Sequence, residues 1–350
     1  MEKGKIKYRL MGAYVELTTE CNLRCLHCYN ESGKEKAKID EVDLENICQS
    51  LKKAKQDHIT FSGGEPFLHP KILDYINICT KQGIGVSIIS NATQITQQLL
   101  EQLPRENISF QISLNGSKQE IHDALCGKGS YEKTMKGISN LKKYFPNEIQ
   151  IHCVVNQYNQ YDLKNIIELL REQELMEVSF SELNETGRTK KNEEKISLTH
   201  TEVCELVAQL QQDEEIKKWE KEGMKITYPE TSMGCPFMDE EEIGVASRID
   251  PYGNVYLCQS LEAYSIGSIK EDILYDIIYK NEKIDHAIRM IQKLRNEIKE
   301  CEQCVWQVVC GRGCPATSFM KYHSLSKTDG ECRERSILFL QDLKNNLAYN

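Results

Sequence analysis

The strongest constraint on this chain is an alternation: six apolar runs of strand length, separated by longer segments with helical spacing. The runs are AYVEL (13–17), HITFS (58–62), GVSIIS (85–90), ISFQISL (108–114), IQIHCVV (149–155) and EVSFSEL (177–183). Between them apolar residues recur at helical intervals, as in Val42, Ile47, Leu51 and Ala54 or in Leu163, Ile166, Ile167 and Leu170. Strands that each hand over to a helix bury both faces best as a parallel sheet. Six such repeats predict an α/β fold whose sheet curls into a partial (β/α)6 barrel of TIM type.

The alternation stops near Leu183, where a polar stretch, NETGRTKKNEEK, leads into a helix of about two dozen residues from Thr199. From about Pro229 cysteines become dense, a hairpin signal appears at Asp250-Pro251-Tyr252-Gly253-Asn254, and helical periodicity is confined to about Asp272–Leu294. The expected organisation is a barrel over 1–190, a bridge or lid over 191–228, a smaller cysteine-rich domain over 229–334 and a C-terminal helix over 335–350.

Charge and hydropathy narrow the functional classes. A formal net charge of -9 argues against a surface that grips nucleic acid. No apolar run approaches the roughly 20 residues a bilayer span needs, and the N-terminus MEKGKIKYRLMG lacks the apolar stretch of a signal peptide. The expectation is a cytoplasmic protein with no membrane partner. In a reducing compartment its 15 cysteines read as metal ligands, catalytic groups or small core residues rather than as disulfides.

Directly after the first strand stands Thr19-Glu20-Cys21-Asn22-Leu23-Arg24-Cys25-Leu26-His27-Cys28-Tyr29. A loop at the C-terminal end of a barrel strand is where barrel enzymes place their chemistry, and this one can fold three thiolates around one cluster. Three thiolates on a four-iron cluster leave one iron to receive a substrate or cofactor directly. A zinc site of the three cysteines with His27 is the alternative. The second strand ends in Phe61-Ser62-Gly63-Gly64-Glu65-Pro66, where two glycines permit close backbone approach and Glu65 offers a hydrogen-bond acceptor.

With these two motifs in order, residues 11–190 resemble the radical S-adenosylmethionine (SAM) superfamily. The resemblance implies that Cys21, Cys25 and Cys28 bind a [4Fe-4S] cluster whose open iron chelates the amino and carboxylate groups of SAM. One-electron reduction, from an external donor of flavodoxin or ferredoxin type, then releases a 5'-deoxyadenosyl radical that takes a hydrogen atom from substrate. It further implies that Gly63, Gly64, Glu65 and Pro66 meet the methionine amine and that Tyr29 lies near the adenine. Ser90-Asn91-Ala92 resembles the family's S/T-N-G turn and Ser113-Leu114-Asn115-Gly116 its S-L-D-G, both beside the ribose and methionyl groups. Asn115 departs from the usual Asp, and Cys126-Gly127 from a frequent Arg-Gly. Arg188 matches a position near the cofactor carboxylate. Cys126, expected in a loop after strand four, is either a hydrogen-atom donor or a bystander. Cys48, Cys79, Cys153 and Cys204, inside expected helices or strands, read as small buried hydrophobes.

The second specific feature is Cys301-x2-Cys304-x5-Cys310-x3-Cys314-x17-Cys332, preceded by Cys235 and by Gly253-x4-Cys258. It is similar to the SPASM domain, an auxiliary-cluster module of peptide and protein maturases. That similarity implies two further [4Fe-4S] clusters, three in all: a distal one on Cys301, Cys304, Cys310 and Cys332, and a nearer one on Cys235, Cys258 and Cys314. A pair of zinc tetrathiolates is the alternative. Two fully thiolate-ligated cubanes need eight cysteines, so the nearer cluster is one short. A substrate thiolate, a water, or a carboxylate such as Asp239 or Glu240 would complete it.

The leading functional expectation is a maturase that modifies a ribosomally made precursor peptide, giving an oxidised or crosslinked product such as a thioether. The barrel begins near residue 11, so leader recognition is expected from the barrel mouth, the 184–228 bridge or a separate leader-binding protein. A sulfatase-maturase-like protein dehydrogenase would be expected to carry an Asp after Cys258, where Gln259 stands and cannot take a proton. A small-molecule dehydrogenase or epimerase stays open. So does a non-enzymatic electron carrier, although it leaves the Gly63–Pro66 turn without a purpose.

Overall fold

The computed structural model describes residues 7–229, 235–238, 242–261 and 264–348. The chain divides into two compact units, one of Gly12–Pro229 with Ile249–Gly253, the other of Met1–Met11, Glu230–Arg248 and Asn254–Asn350.

The larger unit repeats strand and helix as the apolar pattern predicts: β1 (Lys7–Thr18), α1 (Glu41–Lys53), β2 (His58–Gly63), α2 (Ile72–Lys81), β3 (Gly85–Ser90), α3 (Gln97–Leu100), β4 (Ile108–Ser113), α4 (Gln119–Cys126), α5 (Ser130–Tyr144), β5 (Ile149–Val154), α6 (Leu163–Glu172) and β6 (Glu177–Ser181). It continues through α7 (Gly187–Ile196), α8 (His200–Gln212), α9 (Glu214–Lys221) and β7 (Lys225–Thr227). The strands lie in sequence order from β1 to β7, each parallel to the next. This is the partial barrel, with one parallel strand more than the six apolar runs foretold.

Period-two alternation builds the sheet. In β3, β4, β5 and β6 every second residue is buried, placing Val86, Ile88, Phe110, Ile112, Ile151, Val178 and Phe180 in the core. The opposite face is polar. It carries Ser87 hydrogen-bonded to Ser109 at 2.7 Å, Gln150 to Glu177 at 2.8 Å, and His152 to Ser179 at 2.9 Å and Ser181 at 3.1 Å. Helix ends obey local chemistry as well: Asp40 and Asp43 form a reciprocal capping box on α1, whose last turn holds Lys52 and Lys53.

The segment expected as a bridge folds as α7, α8, α9 and β7 within this same unit. The single long helix expected from Thr199 is two helices, because Asp213 accepts from the backbone N–H groups of Glu215 and Ile216 and so starts α9.

The smaller unit holds β8 (Glu242–Ile249), β9 (Asn254–Tyr256) and β10 (Ser265–Ser268), then α10 (Leu274–Tyr279), α11 (Glu282–Asn296), α12 (Gln307–Cys310), α13 (Pro315–Tyr322) and α14 (Cys332–Ala348). β9 and β10 pair antiparallel. Helix α11 buries Ile284, Ala287, Ile288, Ile291 and Arg295, an apolar stripe that ends on a guanidinium.

Candidate functional site

The loop after β1 is held from three sides by backbone and polar side chains. Gly64 N–H donates to Thr18 O at 2.7 Å and Glu65 N–H to Glu20 O at 2.8 Å, docking the second turn on the root of the cysteine loop. Both glycines are required there. Gly63 has φ +118°, and a Cβ on Gly64 would stand 2.0 Å from Glu20 O. The close approach expected toward a ligand is therefore made, on the glycines' Cβ side, to the protein's own β1 loop.

On the second side, Arg188 donates from Nε to Cys25 O at 2.8 Å and from Nη1 to Ser32 O at 2.9 Å, while its backbone N–H meets Cys28 O at 2.8 Å. Gly187, at φ +58°, lies so close that a Cβ would come within 2.3 Å of Tyr29 O. Arg188 is thus a clamp on the cysteine loop, and its charge favours the thiolates of Cys25 and Cys28. On the third side, Leu26 N–H donates to Leu125 O at 2.9 Å, and Asn22 bonds Asn91 at 3.1 Å and Thr93 at 2.7 Å.

Within this frame Cys21, Cys25 and Cys28 converge. Burial pushes the Cys21 thiol up to about 12, and the neighbouring Glu65, Cys25 and Cys28 add to it. Burial likewise raises Cys28, which also feels Cys25. The fifteen cysteines are all free thiols. Thiols that are buried together, unpaired by disulfides and mutually repelling when ionised suit a cationic metal centre that neutralises them. Cys28 Sγ also donates to Asn30 Oδ1 at 3.1 Å, and Asn30 Nδ2 to Gly63 O at 3.2 Å, a link between the two motifs that the sequence pattern did not single out.

The expected cofactor residues take unequal positions. Glu65 is fully buried, and its carboxylate accepts from Ser90 Oγ at 2.8 Å, Asn91 N at 2.9 Å and Phe67 N at 3.2 Å. Burial raises it to about 7, against those hydrogen bonds, which pull it down. Ala92, at φ 59°, adopts the left-handed backbone that the glycine of an S/T-N-G turn would supply. Pro66 opens a short 3-10 turn capped by Glu65. Tyr29 hydrogen-bonds Glu16 at 3.0 Å and Tyr14 at 3.1 Å, and Tyr14 bonds Ser62 at 2.6 Å, a polar chain that the motifs left unseen. Ser113 ends β4 in register with His152 of β5.

Asn115 is 1% exposed and spends its side chain on structure, Oδ1 accepting from Val154 N at 2.9 Å and Nδ2 donating to Cys126 Sγ at 3.5 Å. An Asp there could not make the second bond when ionised. Cys126 is not in a loop, as expected, but is the last residue of α4. It is buried with Leu125 and Ile196, against Cys25, Leu26 and Leu183, because α4 presents that face to the cysteine loop. The ligand atoms of Cys25, His27 and Cys126 lie within 4.8 Å of one another, so His27 is nearer a thiol than its place in the motif suggested. Cys21 and Cys28, which the zinc alternative needs, stand outside that trio. Cys48, Cys79 and Cys153 are core residues, but Cys204 is partly exposed and meets His200 Nε2 at 3.5 Å, with His200 Nδ1 on Glu182 at 2.7 Å.

In the smaller unit the cysteines fall into two sets. Burial pushes Cys235 up to about 12 and raises Cys258; Cys314 adds to both, and Cys258 to Cys235. Burial raises Cys301, and Cys332 and Cys310 add to it. Cys304 lies one turn on, its N–H donating to Cys301 O at 3.2 Å. Asp239 and Glu240 lie outside the described residues. Asp329, fully buried, accepts from Cys314 N at 2.7 Å and from Arg335 Nη1 at 2.8 Å, locking the Cys310–Cys314 loop.

Comparison with known proteins agrees with this geometry. Residues 15–170 match the family model described as "Radical SAM superfamily", and 243–305 match SPASM, an "Iron-sulfur cluster-binding domain". The chain is 25% identical over 322 residues to mycofactocin maturase MftC of Mycobacterium ulcerans, covering 91% of this chain and 86% of that one. It is 24% identical over 331 residues to the AdoMet-dependent heme synthase of Methanosarcina barkeri, covering 87% and 90%. Its fold matches Streptococcus suis SuiB bound to precursor peptide SuiA with a TM-score of 0.73 at 18% identity, over 93% of this chain and 76% of that one. The chain carries a radical SAM domain followed by a SPASM domain, and the cofactors of these families are [4Fe-4S] clusters and SAM.

Proposed function

We propose that this radical SAM enzyme oxidises or crosslinks a ribosomally made peptide. The observation that carries the chemistry is the convergence of Cys21, Cys25 and Cys28 in one clamped loop beside the Gly63–Pro66 turn. The mycofactocin maturase likeness and the peptide-bound SuiB fold support a peptide as substrate.

In this reading Cys21, Cys25 and Cys28 hold the SAM-binding cluster, Cys301, Cys304, Cys310 and Cys332 a second, and Cys235, Cys258 and Cys314 a third. The reduced cluster with bound SAM supplies a 5'-deoxyadenosyl radical that removes a hydrogen atom from substrate. The protein's own residues do the rest. Arg188 fixes the loop and favours its thiolates. Glu65, wholly buried, holds Ser90, Asn91 and Phe67 by its carboxylate and so fixes the turn that meets the amino group of the methionine, a turn that Gly63, Gly64 and Pro66 shape. Tyr29 borders the adenine end, and Ser113 the ribose side. Cys126 and Asn115 wall the loop from behind. An external flavodoxin- or ferredoxin-type donor would provide electrons, and the barrel mouth, the 184–228 segment or a separate leader-binding protein would hold the peptide.

A cluster held by Cys235, Cys258 and Cys314 would have one further position, which a water, a carboxylate or a substrate cysteine would fill, and the last of these would favour thioether formation. The heme synthase likeness gives a second reading, a carboxylated small molecule as substrate. Co-expression with each short peptide encoded beside the gene, followed by mass spectrometry, tests the choice. Loss of two hydrogen atoms from a peptide supports the maturase. Unmodified peptides throughout, with SAM-dependent turnover of a porphyrin, would replace it.

A further inference from the structure

Arg295 is 0% exposed, yet none of its hydrogen bonds goes to a carboxylate. Its Nη1 donates to Leu325 O at 3.2 Å and Lys327 O at 2.6 Å, and its Nη2 to Arg312 O. The Nε–H is buried and has no partner. Among the described residues no carboxylate lies within ion-pair distance of this guanidinium, whereas the other fully buried arginine of the unit, Arg335, is paired with Asp329 and Glu331. A buried cation without a counter-charge is costly, by several kcal/mol in proteins generally. The negative charge it feels most is Asp329, which is itself paired with Arg335; after it the groups around Arg295 that would carry negative charge are cysteines of both sets, Cys314 and Cys235 of one and Cys301 of the other.

Thiolate-ligated [4Fe-4S] clusters are anionic, and each becomes more so on taking up one electron. A buried donor without a partner, on a cation with no carboxylate at ion-pair distance, fits such groups. Resting on the cluster reading above, we infer that Arg295 is a positioning residue shared by the two C-terminal cysteine sets, whose charge raises the reduction potential of both clusters and so suits them to accept an electron. The electron balance is simple: a substrate radical that gives up one electron to a cluster and one proton to water becomes the oxidised product, and the cluster neither gains nor loses atoms.

The test uses the full chain in a Cys21→Ala/Cys25→Ala/Cys28→Ala background, so that only the C-terminal clusters contribute. Iron content is measured, and each cluster is titrated with dithionite under electron paramagnetic resonance. Arg295→Gln should keep about eight irons. It should lower the reduced-to-oxidised ratio at fixed potential by tenfold or more, which is about 59 mV or more for a one-electron couple. Unchanged potentials with iron retained would overturn the inference and leave Arg295 a brace for the 312–327 backbone. Should Arg295→Gln lose its iron, Arg295→Lys decides, since it keeps the charge and loses the fork. Parent potentials in the Lys variant support the inference, and a tenfold shift despite the retained charge overturns it. A parent protein that binds no iron at these cysteines fails the cluster reading instead, which is a separate result.

Discussion

Glu65 offers a pH-dependent test of cofactor binding. The carboxyl is wholly buried and raised to about 7, so ionisation occurs in the working range. The ionised carboxylate is the stronger acceptor for Ser90 Oγ and for the Asn91 and Phe67 N–H groups, which hold the turn that meets the amino group. If binding requires that form, about one molecule in eleven is competent at pH 6 and about ten in eleven at pH 8. SAM affinity should therefore tighten about tenfold across that span. The free amino group of SAM titrates nearby, at about 8, so Glu65→Gln is the reference. Equilibrium dialysis of anaerobically reconstituted enzyme should show the extra tenfold slope in the parent and its absence in the Gln variant. Parallel pH profiles would refute the role. Stability moves the other way. With its folded value above the ordinary one, Glu65 contributes stability that is full below about 4.5 and lost as pH rises through about 7, up to about 3 kcal/mol.

Replacing Cys21, Cys25 and Cys28 together with Ala should abolish 5'-deoxyadenosine formation and lower iron from about twelve to about eight per chain; persistent cleavage would sink the assignment of the reactive loop. Gly64→Ala places a methyl 2.0 Å from Glu20 O, so SAM binding should fall at least tenfold, and a parental dissociation constant would show that the turn can shift freely. Asp329→Asn leaves Arg335 with Glu331, at 3.4 Å, as its one carboxylate and should destabilise the smaller unit by about 3 kcal/mol, read from denaturant-induced loss of cluster absorbance. An unchanged midpoint would mean that the pair is dispensable.

Much of the scaffold was legible because its physics is local. Alternation located six strands to within a few residues, except that β1 starts well before Ala13, and the cysteine spacings are the ground on which two C-terminal sets are proposed. β7 escaped because Lys225–Thr227 is three residues with both ends exposed, so no apolar run betrays it. The break at Asp213 did have a signal, an N-cap residue followed by Glu214 and Glu215, but the continuing apolar spacing outweighed it. The interior uses of Asn115, Arg188 and Glu65 were not legible, since a motif names residues without saying which partner claims each oxygen or N–H. Arg295 reads as a surface residue by type. Its position four residues after Ile291, on the apolar stripe of α11, was the available clue.

The two units solve one problem, the burial of ionised thiols, with different charge inventories. In the larger unit Arg188 is the cation that favours the thiolates of Cys25 and Cys28, and Glu65 works against Cys21. In the smaller unit Arg295 favours the thiolates of Cys235 and Cys301, Arg248 that of Cys258 and Arg312 that of Cys301. A loop with one such cation and a nearby carboxylate is left electrostatically incomplete, and a sulfonium ligand supplies the missing positive charge. The C-terminal sets, with Arg295, Arg248 and Arg312 around them, have less need of one. If the proposed clusters form, this distribution of arginines gives the smaller unit its own counter-charges and leaves the larger unit to draw one from a sulfonium ligand.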